Sequence, residues 1–276
     1  MDKLKAIKIA KETMSILESG KYLNRQRKIV NLSASIREAI KGAVLYSPDE
    51  TDRLLNSFTP LNKYDTIIEV TSESSLAAAK RLSENDGKVC VLNFASAKNP
   101  GGGFLTGSRA QEESLARSSG LYPTIAQMKE MYEHNLRIRT GLYSDYMIFS
   151  PNVPVFRDDD GNLMDEPYFV SFITTPAVNA GLVREREPHK AHLINEVMKR
   201  RIEKILVVAF VNQQNTLILG AFGCGVFKNR PEDVATIFRD TLTSDRFKGV
   251  FKKIIFAVYD PTPQKLNYNI FRRVLK

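Results

Sequence analysis

Cysteine and histidine are scarce in this chain, with two cysteines and three histidines among 276 residues. Such a set cannot supply the four thiolate or imidazole ligands of a structural zinc site. Cys90 stands among Val89, Val91 and Leu92 and reads as a small core residue. Cys224 lies between two glycines, and the count is best suited to a reducing compartment. His189 and His192 are spaced i, i+3 with no further ligands nearby, so no metal is expected. Long apolar runs are missing too: nothing approaches the roughly 18 residues that a spanning helix needs, so no membrane association is expected. The opening segment MDKLKAIKIAKETMSILESG has apolar residues at helical spacing between lysines and glutamates, which is not a secretory signal. A cytoplasmic protein is expected, or a nuclear one if the source is eukaryotic. Internal repeats and low-complexity segments are absent.

Basic residues outnumber acidic ones, 40 to 31, for a net charge of +9. That balance suits a polyanionic partner, nucleic acid included, and equally describes a generally basic surface. Residues 1–60 read as a helical and hairpin extension packed on a core formed by 61–276. KYLNRQRKIVNL offers two short strands around Asn24–Gln26, and Ser33 is placed to cap a second helix. From Asp65 onward strands and helices alternate. Strands are expected at DTIIEVT, KVCVLNF, Tyr146–Ser150, Tyr168–Thr174, Ile205–Val211, Leu217–Leu219 and Ile254–Tyr259. Helices are expected at SESSLAAAKRLSEND, with Ser72 as cap and Gly87 at its end, and at Glu187–Glu203, Pro231–Ser244 and Pro263–Val274. This is an α/β pattern with a mainly parallel sheet covered on both faces. Its ligands should bind beyond the carboxyl ends of the strands. VPVFRDDDGNLMDEPY reads as a hairpin turning at Asp160–Gly161. Phe156 falls where an EF-hand needs a ligand, so a solvated turn is expected there, not a calcium loop.

Two loops carry the chemistry. Residues 93–113 read NFASAKNPGGGFLTGSRAQEE. Gly101, Gly102 and Gly103 allow close approach of the backbone, because no Cβ intervenes. Seven residues later Gln111, Glu112 and Glu113 open a helix. Adjacent helical carboxylates point about 100° apart, so one can orient a substrate hydroxyl while the other transfers a proton. The bland alternative is compensation of the helix dipole. The second loop is LGAFGCGVFKNRP, residues 219–231, with Gly220, Gly223 and Gly225 after an apolar strand. Its backbone N–H groups suit a diphosphate. Phe227, just beyond, can stack on a base or sugar, or pack in the core.

The triple glycine, the seven-residue spacing and the QEE triplet together resemble the signature of poly(ADP-ribose) glycohydrolases. The wider context, with LGAFGCGVFKNRP downstream, is similar to the microbial type. The resemblance implies a three-layer α/β/α macrodomain-like mixed sheet with an N-terminal helical extension, binding ADP-ribose without a cofactor. It implies that Gly101–Gly103 approach the diphosphate and distal ribose, and that Glu112 bonds ribose hydroxyls. Glu113 is implied as the acid that protonates the departing ribose oxygen. Ser96 and Asn99 of the first loop, and Gln111 at the helix start, are implied as further ADP-ribose-binding residues. Gly223, Gly225, Val226 and Phe227 match the diphosphate loop. Glu69 stands where an acidic residue reads the adenine amine. Ser96 replaces an asparagine of the animal relatives, and no tyrosine matches their substrate-clamping loop, which implies attack at chain ends. The implied partners are poly(ADP-ribose), ADP-ribosylated proteins and the product ADP-ribose, with the protein acting as a monomer. Two other readings stay open: an ADP-ribose-binding reader module, and a hydrolase of ADP-ribose on another carrier, a single protein side chain or DNA.

Overall fold

A computed structural model describes residues 1–60, 62–84 and 87–276. The chain opens with α1 (Lys3–Ser19), the hairpin β1 (Lys21–Leu23) and β2 (Ile29–Asn31), then α2 (Ser33–Gly42), β3 (Val44–Tyr46) and α3 (Pro48–Ser57). There follow β4 (Ile67–Thr71), α4 (Ser75–Ser83), β5 (Val89–Phe94), α5 (Gln111–Ser118), α6 (Leu121–Ala126) and α7 (Lys129–Arg137). Next come the long hairpin β6 (Met147–Arg157) and β7 (Leu163–Thr175), α8 (Ala180–Arg186) and α9 (Ile194–Val211). The chain ends with β8 (Thr216–Leu219), α10 (Pro231–Thr243), β9 (Lys253–Ala257) and α11 (Leu266–Val274).

Seven strands form one mixed sheet in the order β3-β6-β7-β5-β8-β9-β4. β7, β5, β8, β9 and β4 run parallel, while β6 is antiparallel to both of its neighbours. β5 sits at the centre and is buried on both faces. Its Cys90 and Leu92 join the apolar layer that includes residues of α9, α10 and α11. Its Val89 and Val91 join the opposite layer, which includes residues of α4, α5, α6 and α7. This is the consequence of side chains alternating across a strand that has helices on both sides. β3 comes from within residues 1–60, so the sheet takes its edge strand from the segment read as an extension. The sequence reading placed neither β3 nor α3. The latter begins with a complete capping box: Glu50 N–H donates to Ser47 Oγ, and Ser47 N–H donates to Glu50.

Three local expectations are corrected. Ile205–Val211 is not a strand but the last two turns of α9. Ile202, Ile205, Leu206 and Ala209 make a helical stripe, and Val207 and Val208 are buried as well. A short, wholly apolar run looks the same in a central strand and in a helix buried on all sides. Ser33 is the first residue of α2, not its cap, and its hydroxyl bonds the Gly20 carbonyl. α4 is capped by Ser74, which accepts from Ala77 N–H, rather than by Ser72. The last two positions of that expected helix, 85 and 86, lie outside the described residues, and Gly87 (φ +73°) falls beyond its end. The hairpin turn stands as expected. Asp158 accepts the N–H groups of Asp160 and Asn162 and pairs with Arg25, so its carboxylate is already occupied.

A buried ionic cluster fixes α9 to the far end of β6. Arg201 is 0% exposed and donates to Asp145 Oδ1 (2.9 Å) and to the carbonyls of Leu142, Tyr143 and Pro176. Lys204 is 1% exposed and bridges Asp145 Oδ2 (2.6 Å) and Asp52 (2.7 Å). The two cations hold the Asp145 carboxyl below its ordinary range against the opposing effect of burial. Asp145→Asn leaves two buried cations under-compensated. It should cost about 3–5 kcal/mol, read by urea denaturation of both proteins.

Candidate active site

The first loop leaves β5 at its carboxyl end and returns into α5. Gln111 fastens the two elements together: its Oε1 accepts from Phe94 N–H (2.9 Å), and its Nε2 donates to the Leu92 carbonyl (2.8 Å) and Ser75 Oγ. The side chain is therefore spent on the scaffold. Ser96 Oγ accepts from the N–H groups of Lys98 and Asn99, and the Asn99 carbonyl accepts from Gly102 N–H, which tightens the turn ahead of the glycines. Gly101 and Gly102 adopt φ of +72° and +58°, which a side chain would resist.

These glycines hold the acidic pair. Glu112 is 3% exposed and Glu113 is 8% exposed. Glu112 Oε2 accepts from Ser96 N–H (2.6 Å) and its Oε1 from Gly101 N–H (3.2 Å). Glu113 Oε1 accepts from Gly103 N–H (3.0 Å). Glu113 Oε2 is buried and has no partner among the described residues. A Cβ on Gly102 would overlap Glu113 Oε1 and lie 3.1 Å from Glu112 Oε2, so both carboxylates reach one point that only glycine leaves empty. Burial pushes the Glu112 carboxyl up to about 8; the Ser96 N–H opposes the shift, and the Glu113 charge adds to it. Behind the pair, Tyr132 is buried, its hydroxyl has no partner among the described residues, and burial raises it well above its ordinary value. α1 supports the turn from below: Ala10 packs with Phe104 and Ala116, and Phe104 meets Tyr122 with ring centroids 4.9 Å apart.

The second loop leaves β8, the neighbour of β5, on the same edge of the sheet. Gly223 turns with φ +71° between Ala177 and Asn229, and Asn229 Nδ2 donates to the carbonyls of Val178 and Gly223. Among the described residues, the N–H groups of Gly223, Gly225, Val226 and Phe227 find no protein acceptor. The contrast with the first loop is sharp. There, the N–H groups of all three glycines are taken, two by carboxylates and one by Asn99. Here they are open, and a run of free amide donors is an anion cradle. Val226 is 82% exposed, and Phe227 meets Tyr143 at 5.9 Å.

The structure thus brings Ser96, Asn99, the three glycines, Gln111 and both glutamates into one loop–helix unit, with the 223–227 loop on the adjacent strand. It does not bring Glu69 there. That residue lies within β4, not after it, on the exposed edge and separated from β5 by β8 and β9. The carboxyl end of β9 instead presents Tyr259, an exposed aromatic beside the Gly220–Ala257 contact, which the sequence reading passed over. Its signal was the polar, proline-containing stretch that follows an apolar strand. His189 and His192 are exposed, and among the described residues no group of three or more His, Cys, Asp or Glu side chains is arranged to hold a metal.

Fold and site together define a class: an α/β/α protein whose sheet edge presents a glycine-held carboxylate pair beside an open anion-binding loop. A family profile described as the catalytic domain of microbial-type PARG, poly(ADP-ribose) glycohydrolase, matches residues 10–158. The chain belongs to this family. Poly(ADP-ribose) glycohydrolase from Thermomonospora curvata is 42% identical over 98% of this chain and 99% of its own, with a TM-score of 0.94. The same protein bound to the inhibitor ADP-HPD gives 0.92, at 98% of each chain. The enzyme from Deinococcus radiodurans in complex with ADP-ribose is 41% identical over 90% of this chain and 99% of its own, with a TM-score of 0.85. No curated protein matches the chain.

The raised Glu112 carboxyl has a consequence for stability. The folded state keeps a proton there that the unfolded chain releases near its ordinary value of 4.5. Between that value and about 8 the native state binds the extra proton, so stability falls as pH rises through this window. Glu112→Gln should remove that part of the slope. Thermal unfolding of both proteins from pH 5 to pH 9 checks it, with the difference in Tm changing in favour of the variant as pH rises.

Proposed function

We propose that this protein hydrolyses the ribose–ribose O-glycosidic bonds of poly(ADP-ribose) and releases ADP-ribose, with Glu113 as general acid and then base. Family membership supports the substrate. The single observation that carries the assignment of Glu113 is its Oε2: a buried carboxylate oxygen without a partner, beside a Glu112 whose two oxygens are both bonded to backbone N–H groups. In this reading the free amides of Gly223, Gly225, Val226 and Phe227 take the diphosphate, and Phe227 and Tyr259 offer aromatic faces to the rest of the nucleotide. Glu112, kept neutral by burial, bonds hydroxyls of the distal ribose. Glu113 delivers a proton from Oε2 to the departing ribose oxygen as the C–O bond breaks. The carboxylate left behind then draws a proton from the water that captures the oxocarbenium-like ribose. One residue serves both steps, which differs from the usual pair of glycosidase carboxylates with separate roles.

We further read the attack as directed at chain ends, by a monomer acting in the cytoplasm on ADP-ribosylated proteins. Incubation with long polymer checks this: free ADP-ribose should appear from the start, and early release of long oligomers would contradict it.

Glu113→Gln should lower kcat by at least about a thousandfold while ADP-ribose binding stays within about threefold, measured by product release and calorimetry. A wild type that binds ADP-ribose but releases none from the polymer overturns the hydrolase reading. Gly102→Ala should lose activity to a similar degree, because its methyl displaces both carboxylates and its φ is strained.

A further inference from the structure

Arg117 lies one helical turn beyond Glu113 on α5 and is 4% exposed. A guanidinium removed from water ordinarily meets a carboxylate directly. Arg117 does not: its Nη1 donates to the Ser108 carbonyl, and no ion pair joins it among the described residues. The negative charge that bears on it is Glu113, with Arg109 acting in the opposite sense. Backbone bonds complete a circuit between these two side chains. Glu113 Oε1 accepts from Gly103 N–H, the Gly103 carbonyl accepts from Ser108 N–H (3.0 Å), and the Ser108 carbonyl accepts from Arg117. The main chain of Arg117 is pinned in turn. Thr13 Oγ1 of α1 donates to its carbonyl (2.6 Å) and accepts from Arg157 Nε (3.1 Å).

We propose that Arg117 is a positioning residue for Glu113: its guanidinium closes the ring that holds Gly103 N–H on that carboxylate, and its charge sets the field in which Glu113 exchanges a proton. A neutral amide could bond Ser108 equally well, so a purely structural role accounts for the donor but leaves the buried charge without a reason. Other titratable groups on elements packed around this part of α5 include Lys3 of α1 against Gly107, Glu112, Arg109, Tyr122 and Tyr132, and the Glu12–Arg157 pair between α1 and β6. All of them are retained when Arg117 is replaced.

The test uses Arg117→Gln and Arg117→Lys in the full chain, with two readouts. The first is titration of the glutamate side-chain carboxyls by carbon-13 NMR, which needs no substrate and is independent of the glycohydrolase reading. Loss of the charge in R117Q should move the Glu113 titration to higher pH, while R117K keeps it near the wild-type position. The second rests on that reading. R117Q should lower kcat on poly(ADP-ribose) about ten- to a hundredfold, with the acid limb of the pH profile displaced in the same direction and ADP-ribose affinity within about threefold. A folded R117Q with the wild-type titration and kcat overturns the proposal. So does a shift of equal size in R117K, because the donor geometry and not the charge would then be responsible. If R117Q does not fold, Arg117→Met, which removes the charge from a long side chain, takes its place and is judged by the same two readouts. If wild type releases no ADP-ribose, the glycohydrolase reading falls, and the NMR titration alone judges the ring.

Discussion

A carboxylate taken out of water needs hydrogen-bond donors, and at this sheet edge the donors are backbone amides. Ser96 and Gly101 serve Glu112, and Gly103 serves Glu113. Most of the local architecture follows from that requirement. The loop has to fold back over the start of α5, so two glycines take left-handed conformations and a third side chain, Ser96, tightens the turn. The helix must begin within reach of β5, so Gln111 ties its first residue to two backbone groups of the strand. Burial then discourages charge on Glu112, whose proton affinity rises as a result.

The two glycine-rich loops divide the work in a way their composition does not announce. The first turns its amides inward and consumes them in holding side chains. The second leaves its amides open to a ligand. Rigid surroundings support both. Asn229 and Gly223 lock the second loop against the segment after β7. The Arg201–Asp145–Lys204 cluster fixes the stretch carrying Tyr143, whose ring lies against Phe227. A site assembled from loops thereby gains the precision of the sheet that carries it.

Much of this was legible in the sequence. The alternation of strands and helices after Asp65, the buried character of β5 and the placement of both loops at strand ends follow from hydrophobic periodicity and turn chemistry. The QEE triplet at a helix start was equally visible. What periodicity could not separate was Ile205–Val211, where five successive apolar residues of a helix, Ile205 to Ala209, are all buried. β3 was invisible for another reason: a three-residue strand has too few side chains to show a pattern. The direction in which each loop points its N–H groups depends on φ and ψ at single glycines, which residue identity permits but does not dictate. Glu69 misled because an acidic residue on an exposed edge strand looks, in one dimension, like one at a strand end.

The placement of α1 bears on how the molecule comes into being. The groups this helix serves lie far along the chain: Thr13 waits for Arg117 and Arg157, and Ala10 for Phe104 and Ala116. β3 likewise has no strand to join until β6 has been made, about a hundred residues on. Contacts of such sequence separation close slowly, since chain entropy is lost before pairing repays it. The face of α1 that carries Thr13 must therefore remain unsatisfied until the hairpin of β6 and β7 is available, and the catalytic turn gains the full support of that helix only then.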